Sequence, residues 1–136
     1  MTEPDPAASD EVQVRALIVR WAKAVRDQDR AAIRADHDPD LLMFDVPPPF
    51  RSHGLDAYMA SWELFFGASP RPVEFDFHDV AVTAGTDVAF VSAVGRCRTL
   101  TEGKFEPLDF RLTMGLRKIG GKWRIMHEHH SVPATD

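Results

Sequence analysis

The sequence predicts an α+β fold, with helices packed on one face of an antiparallel sheet. Two observations carry this. In the first half, apolar residues recur every three or four positions, the period of a helix. From Pro72 onward the period falls to two, and the runs are separated by turn signals. The length of 136 residues suits a single core. The expected organisation is a loose tail over 1–8 and one domain over 9–136.

The elements follow in order. Ser9 is placed to cap a first helix, with Asp10 and Glu11 favourable to its dipole. That helix runs to about Asp27 on a stripe of Val14, Leu17, Ile18, Trp21 and Val25. Asp29 opens a shorter second helix through Ala35, and Pro39 ends that region. Leu41 to Val46 is a short strand, stopped by Pro47-Pro48-Pro49, which cannot pair inside a sheet. His53-Gly54 is a turn. Leu55 to Phe66 is a third helix with Leu55, Tyr58, Met59, Trp62, Phe65 and Phe66 in one stripe, and Gly67 stops it. Val73, Phe75 and Phe77 alternate with polar residues, and Val88 to Thr99 is a long strand. Leu108, Phe110, Leu112, Met114 and Leu116 alternate with Asp109, Arg111, Thr113, Gly115 and Arg117. Gly120-Gly121 is a tight hairpin leading to a last strand.

Bulk properties exclude several roles. The formal charge is −5 with a pI of about 5.6, and no run of Lys and Arg stands out, so nucleic acid is not an expected partner. No apolar run approaches the ~20 residues of a membrane span. Met1 to Asp10 is acidic and lacks a basic region followed by an apolar one, and Cys97 is the single cysteine. A cytoplasmic protein is therefore expected.

The last strand is the most informative. Residues 123–133 read Trp-Arg-Ile-Met-His-Glu-His-His-Ser-Val-Pro. An uninterrupted period of two sends Trp123, Ile125, His127, His129 and Ser131 to one face and His130 to the other. An apolar wall running into imidazoles and a hydroxyl is what a small-molecule pocket looks like in sequence. Arg111 and Thr113 share a strand face with Asp109 and Arg117, and Arg111 is read toward the pocket, where it could hold an anionic oxygen. The aromatic mass is mostly core, with Trp21 and Trp62 chosen as pocket wall. Cys97 lacks any nucleophile motif and is read as buried and inert.

The chain resembles the SnoaL-like and ketosteroid-isomerase-like proteins of the nuclear-transport-factor-2-like superfamily, from about Val12 to Pro133. Four stretches carry the resemblance. They are Ala24-Val25-Arg26-Asp27-Gln28-Asp29, and Leu42-Met43-Phe44-Asp45-Val46-Pro47 with Arg51-Ser52-His53-Gly54. The others are Arg111-Leu112-Thr113 with Leu116-Arg117-Lys118, and Gly121-Lys122-Trp123-Arg124-Ile125 with its His-x-His-x-Ser tail. The resemblance implies a cone of three helices on a curved sheet that encloses a pocket. It also implies frequent homodimers through the sheet, and it ranges over isomerases, cyclases, dehydratases and plain binders.

By the same resemblance Asp45 takes the place of the isomerase general base, although its proline comes one residue late. The oxyanion acids of the isomerases do not carry over: their positions fall on Trp21 and Thr113. Steroid isomerisation by that route is therefore not expected. His127 and His129 are candidate proton carriers, with Asp45 holding a tautomer as in the Asp–His arrangement of scytalone-dehydratase-like members. Two histidines and a carboxylate, with His78 as a further ligand, have the composition of a metal site. No dense Cys/His spacing supports it, so neither a metal nor a cofactor is assigned.

Two functional readings stay open. One is a cofactor-free acid–base isomerase, cyclase or dehydratase acting on an apolar carbonyl compound. Its catalytic residues would be Asp45, His127 and His129, and its substrate contacts Trp21, Trp62, Arg111, Thr113 and Ser131. The other is a non-catalytic ligand-binding or dimerisation module of the same fold.

Overall fold

The computed structural model describes residues 9–134. The tail expected before Ser9 lies outside the described residues. Three helices, α1 (Asp10–Arg26), α2 (Arg30–Ala35) and α3 (Leu55–Gly67), cover one face of a six-stranded sheet. The strands are β1 (His37–Phe44), β2 (Ser52–His53), β3 (Phe75–Ala84), β4 (Val88–Thr101), β5 (Lys104–Ile119) and β6 (Lys122–Ser131). Their spatial order is β2-β1-β6-β5-β4-β3, antiparallel except for the β1–β6 pair. The sheet curves and stays open. Among the described residues no helix is long and apolar enough to cross a membrane.

The helices form where the sequence signals them. Ser9 Oγ accepts from the Val12 N–H and Asp29 from the Ala32 N–H, each satisfying an orphan donor at a helix start. The whole α1 stripe from Val14 to Val25 is buried. Arg26 ties α1 to the sheet, donating to the Phe75 carbonyl at 2.9 Å. In the meander, two of the three hairpin tips fall at Glu102-Gly103 and Gly120-Gly121, all four residues with positive φ. Both tips connect neighbouring antiparallel strands, the geometry such turns favour.

β1 departs from expectation. It begins at His37 and runs through Pro39, rather than starting at Leu41. Pro39 is tolerated because the pairing with β6 breaks between His37 and Leu42, where no ladder donor is needed.

A second irregularity sets the site. β5 pairs Leu116 with Ile125 but Gly115 with His127, so Met126 is an extra residue, a β-bulge. The inward parity of β6 therefore switches. Trp123 and Ile125 face the helices before the bulge; Glu128 and His130 face them after it.

Candidate active site

An apolar cavity of about 600 Å³ lies between α3 and the inner sheet face. Trp62, Leu64 and Phe65 of α3 form one wall, and Phe75, Cys97, Leu108 and Phe110 of the sheet form the other. The Pro47-Pro48-Pro49 segment forms a rim. The titratable groups on its lining are Asp45, His130 and Cys97. Burial pushes the Cys97 thiol up to about 11, aided by the Asp45 charge, so it stays a neutral wall atom.

Asp45 and His130 make the polar corner. Asp45 follows the end of β1, and its carboxylate lies 3.5 Å from His130 Nδ1. It also accepts from the Val46 N–H at 2.8 Å. The His130 ring packs against Phe110 and Trp21, with ring centroids 5.7 and 6.2 Å away. Its Nε2 donates to Glu128 Oε1 at 2.9 Å.

Glu128 is completely buried. Its other oxygen accepts from the Tyr58 hydroxyl at 2.7 Å and contacts His37 Nε2. His37 Nδ1 donates to the Ile33 carbonyl at 2.7 Å. Because a carbonyl can only accept, that nitrogen carries a proton. Desolvation would raise the Glu128 carboxyl, but the His37 charge and the hydrogen bonds from His130 and His37 outweigh it and hold it at about 2. Desolvation would likewise depress His130. Hydrogen bonding to Asp45 and Glu128, with the charges of both, lifts it to about 9. Tyr58 is driven up, first by burial and then by the Glu128 charge, so it remains a phenol that donates. The indole N–H groups of Trp21 and Trp62 are buried near that phenol and meet no acceptor in hydrogen-bonding geometry.

The sequence expectations divide accordingly. Asp45 and Trp62 line the cavity. His127 and His129 do not: the Met126 bulge turns both to the outer sheet face, and His130 takes the inner position. Ser131, Arg111 and Thr113 lie on that outer face too. Thr113 pairs with His129, and Arg111 with Ser131, whose hydroxyl accepts from Arg111 Nε at 3.1 Å. Arg111 cannot reach the cavity because its neighbours Phe110 and Leu112 hold the inner face. Trp21 is buried but stands behind the cavity wall, stacked on Phe77 at 5.3 Å. His78 is exposed and pairs with Asp79. Sequence reasoning overlooked Glu128, His37 and the inward role of His130. One signal was present: Tyr58 in the middle of an apolar helical stripe requires a buried acceptor.

The sequence profile of the SnoaL-like domain family matches residues 14–135. The chain belongs to the SnoaL-like family. A search of curated proteins gave no match. Among solved structures, the chain is similar to an NTF2-like protein of unknown function from Pseudomonas putida KT2440. The two share 35% identity over 96% of this chain and 90% of that one, with a TM-score of 0.81. A ketosteroid isomerase-like protein from Erwinia carotovora atroseptica SCRI1043 shares the fold at 18% identity, over 92% and 98% of the two chains, with a TM-score of 0.76. An NTF2-like protein with a cystatin-like fold from Novosphingobium aromaticivorans does so at 16% identity, over 93% and 84%, with a TM-score of 0.75. The three-helix, curved-sheet architecture of this SnoaL-like chain is thus that of the nuclear-transport-factor-2-like superfamily.

Proposed function

We propose that this SnoaL-like protein binds an apolar carbonyl compound and moves a proton at the carbon beside its carbonyl, without a cofactor. The observation that carries the reading is the convergence of Asp45 and His130 on one corner of an otherwise apolar cavity. In such a site Asp45 takes the proton from the α-carbon. The C–H electron pair moves into the C–C bond and the carbonyl pair onto oxygen, giving an enolate. His130 Nδ1–H donates to that oxygen, and Asp45 returns the proton to carbon. Apolar walls favour the substrate body and strengthen the charge interactions at the corner.

Solvent deuterium exchange tests this without a known substrate. 2-Tetralone and 1-indanone in heavy water, followed by proton NMR, should lose their α-proton signals faster with the protein present. Asp45→Asn should slow that gain by about 10²–10⁴-fold, the usual worth of a positioned acid or base. A wild-type protein that perturbs the Trp62 indole signal on adding 2-tetralone but exchanges no proton would make the chain a binder. An Asp45→Asn variant that keeps the full gain would remove the mechanism.

The homodimer implied by the family resemblance would use the outer sheet face, where Val88 and Phe90 are exposed beside Gly115 and His127. A solution mass equal to one chain in light scattering would rule it out.

A further inference from the structure

We infer that Glu128, fully buried and off the cavity lining, is the positioning residue that holds His130 as a fixed imidazolium, so that the cavity takes compounds presenting an oxygen acceptor on an apolar body. This rests on the proposed reading of the cavity and gives its two polar residues separate tasks. Glu128 Oε1 occupies His130 Nε2 at 2.9 Å in a fully buried setting. Nδ1 is then the one ring nitrogen left for the cavity corner. With Nε2 committed as a donor and both neighbours anionic, the ring has no tautomer in which Nδ1 accepts without losing an ion pair. His130 therefore serves as donor, and Asp45 is left as the group able to take a proton.

The surroundings of His130 support this assignment from every side. β1 contributes Asp45 at its end, and β6 contributes Glu128. From α1 the Trp21 ring packs beside it, and from β5 the Phe110 ring, with Leu112 opposite it in the ladder. Cys97 of β4 lines the same cavity as a neutral thiol. Behind Glu128 stand His37 and the Tyr58 hydroxyl, which fix its second oxygen. Of the two carboxylates, Glu128 is the stronger anchor. It is closer, in hydrogen-bond geometry and shielded from water, whereas Asp45 is 3.5 Å away with a side chain 24% exposed.

The test is a histidine titration in the full chain labelled with nitrogen-15 histidine, read by long-range proton–nitrogen correlation from pH 5 to 10. His130 should keep both nitrogens protonated beyond pH 8 in the wild type. Asp45→Asn should lower its midpoint by less than Glu128→Gln does, and Glu128→Gln should lower it by at least one pH unit, a tenfold change in proton affinity. A wild-type His130 that titrates as an ordinary imidazole overturns the inference. So does an Asp45→Asn variant in which His130 is neutral at pH 8, and this arm decides the matter even if Glu128→Gln does not fold. Deuterium exchange separates the two proposals. A fixed imidazolium in a protein that exchanges no proton sinks the function and keeps the positioning role; exchange with an ordinary His130 does the reverse.

Discussion

One strand carries two polar clusters with opposite environments. On the inner face of β6, Glu128 and His130 are buried and joined to His37, Tyr58 and Asp45. On the outer face, one residue away in each case, His127, His129 and Ser131 sit beside Thr113 and Arg111. The chemistry of the side chains is nearly the same. What differs is water. Inside, each charge must find a partner or neutralise, so the groups lock into one arrangement with displaced proton affinities. Outside, solvent screens the same types of group, and their mutual interactions are worth little. A histidine-rich strand is thus no guide to function until its two faces are separated.

The sharpest way to break this contrast is to remove the hub of the inner cluster. Glu128→Ala removes the buried carboxylate that His37, Tyr58 and His130 share and should cost about 3–5 kcal/mol in denaturant unfolding. Loss of less than about 1 kcal/mol would mean that the inner cluster is no more coupled than the outer one.

The next effect tests packing beside the cluster. Gly95 pairs with Phe110 across β4 and β5, and a Cβ at Gly95 would lie 2.2 Å from the Phe110 ring. Gly95→Ala must push that ring, which packs on His130 and lines the cavity. Destabilisation of about 1–3 kcal/mol is expected, as for other overpacked cores. Nuclear magnetic resonance shifts at His130 should accompany it.

Proton linkage gives a third measurement. His130 binds its proton more tightly folded than unfolded, so its contribution is fully present below about 6.5 and is lost as pH rises toward about 9. Glu128 is the opposite case. Its contribution is present above about 4.5 and is lost as pH falls toward about 2. Stability should therefore be highest between those limits, with a decline on the alkaline side that thermal unfolding can follow. A flat profile from pH 6.5 to 9 would contradict the buried His130 cation.

The smallest effects are expected outside. His129→Gln and Thr113→Ala should each change stability by no more than about 0.5 kcal/mol and leave deuterium exchange as in the wild type. If His129→Gln abolishes exchange, the face assignment is at fault and the outer cluster carries the chemistry.

Much of this architecture was legible in the chain. The stripes of α1 and α3, the Ser9 and Asp29 caps and the Gly-containing hairpins are local, and local geometry follows from side-chain type. Asp45 was legible too, because a strand running into three prolines must end at a rim. The parity of β6 was not. Trp123, Ile125, His127 and His129 alternate without interruption, and nothing in that stretch marks Met126 as the extra residue. A bulge is a property of two strands in register, and Leu116 and Gly115 decide it only once β5 is alongside.

The sequence by itself therefore determined the helices, the strands of the meander, the family and the carboxylate at the cavity corner, since each rests on residues near one another in the chain. The tertiary structure alone decided which histidine meets Asp45. It also decided that His37, 91 positions from Glu128, closes a buried network with it. The reason is that one extra residue in a strand inverts every side chain beyond it, while the cost of an unpaired buried charge then selects the partners.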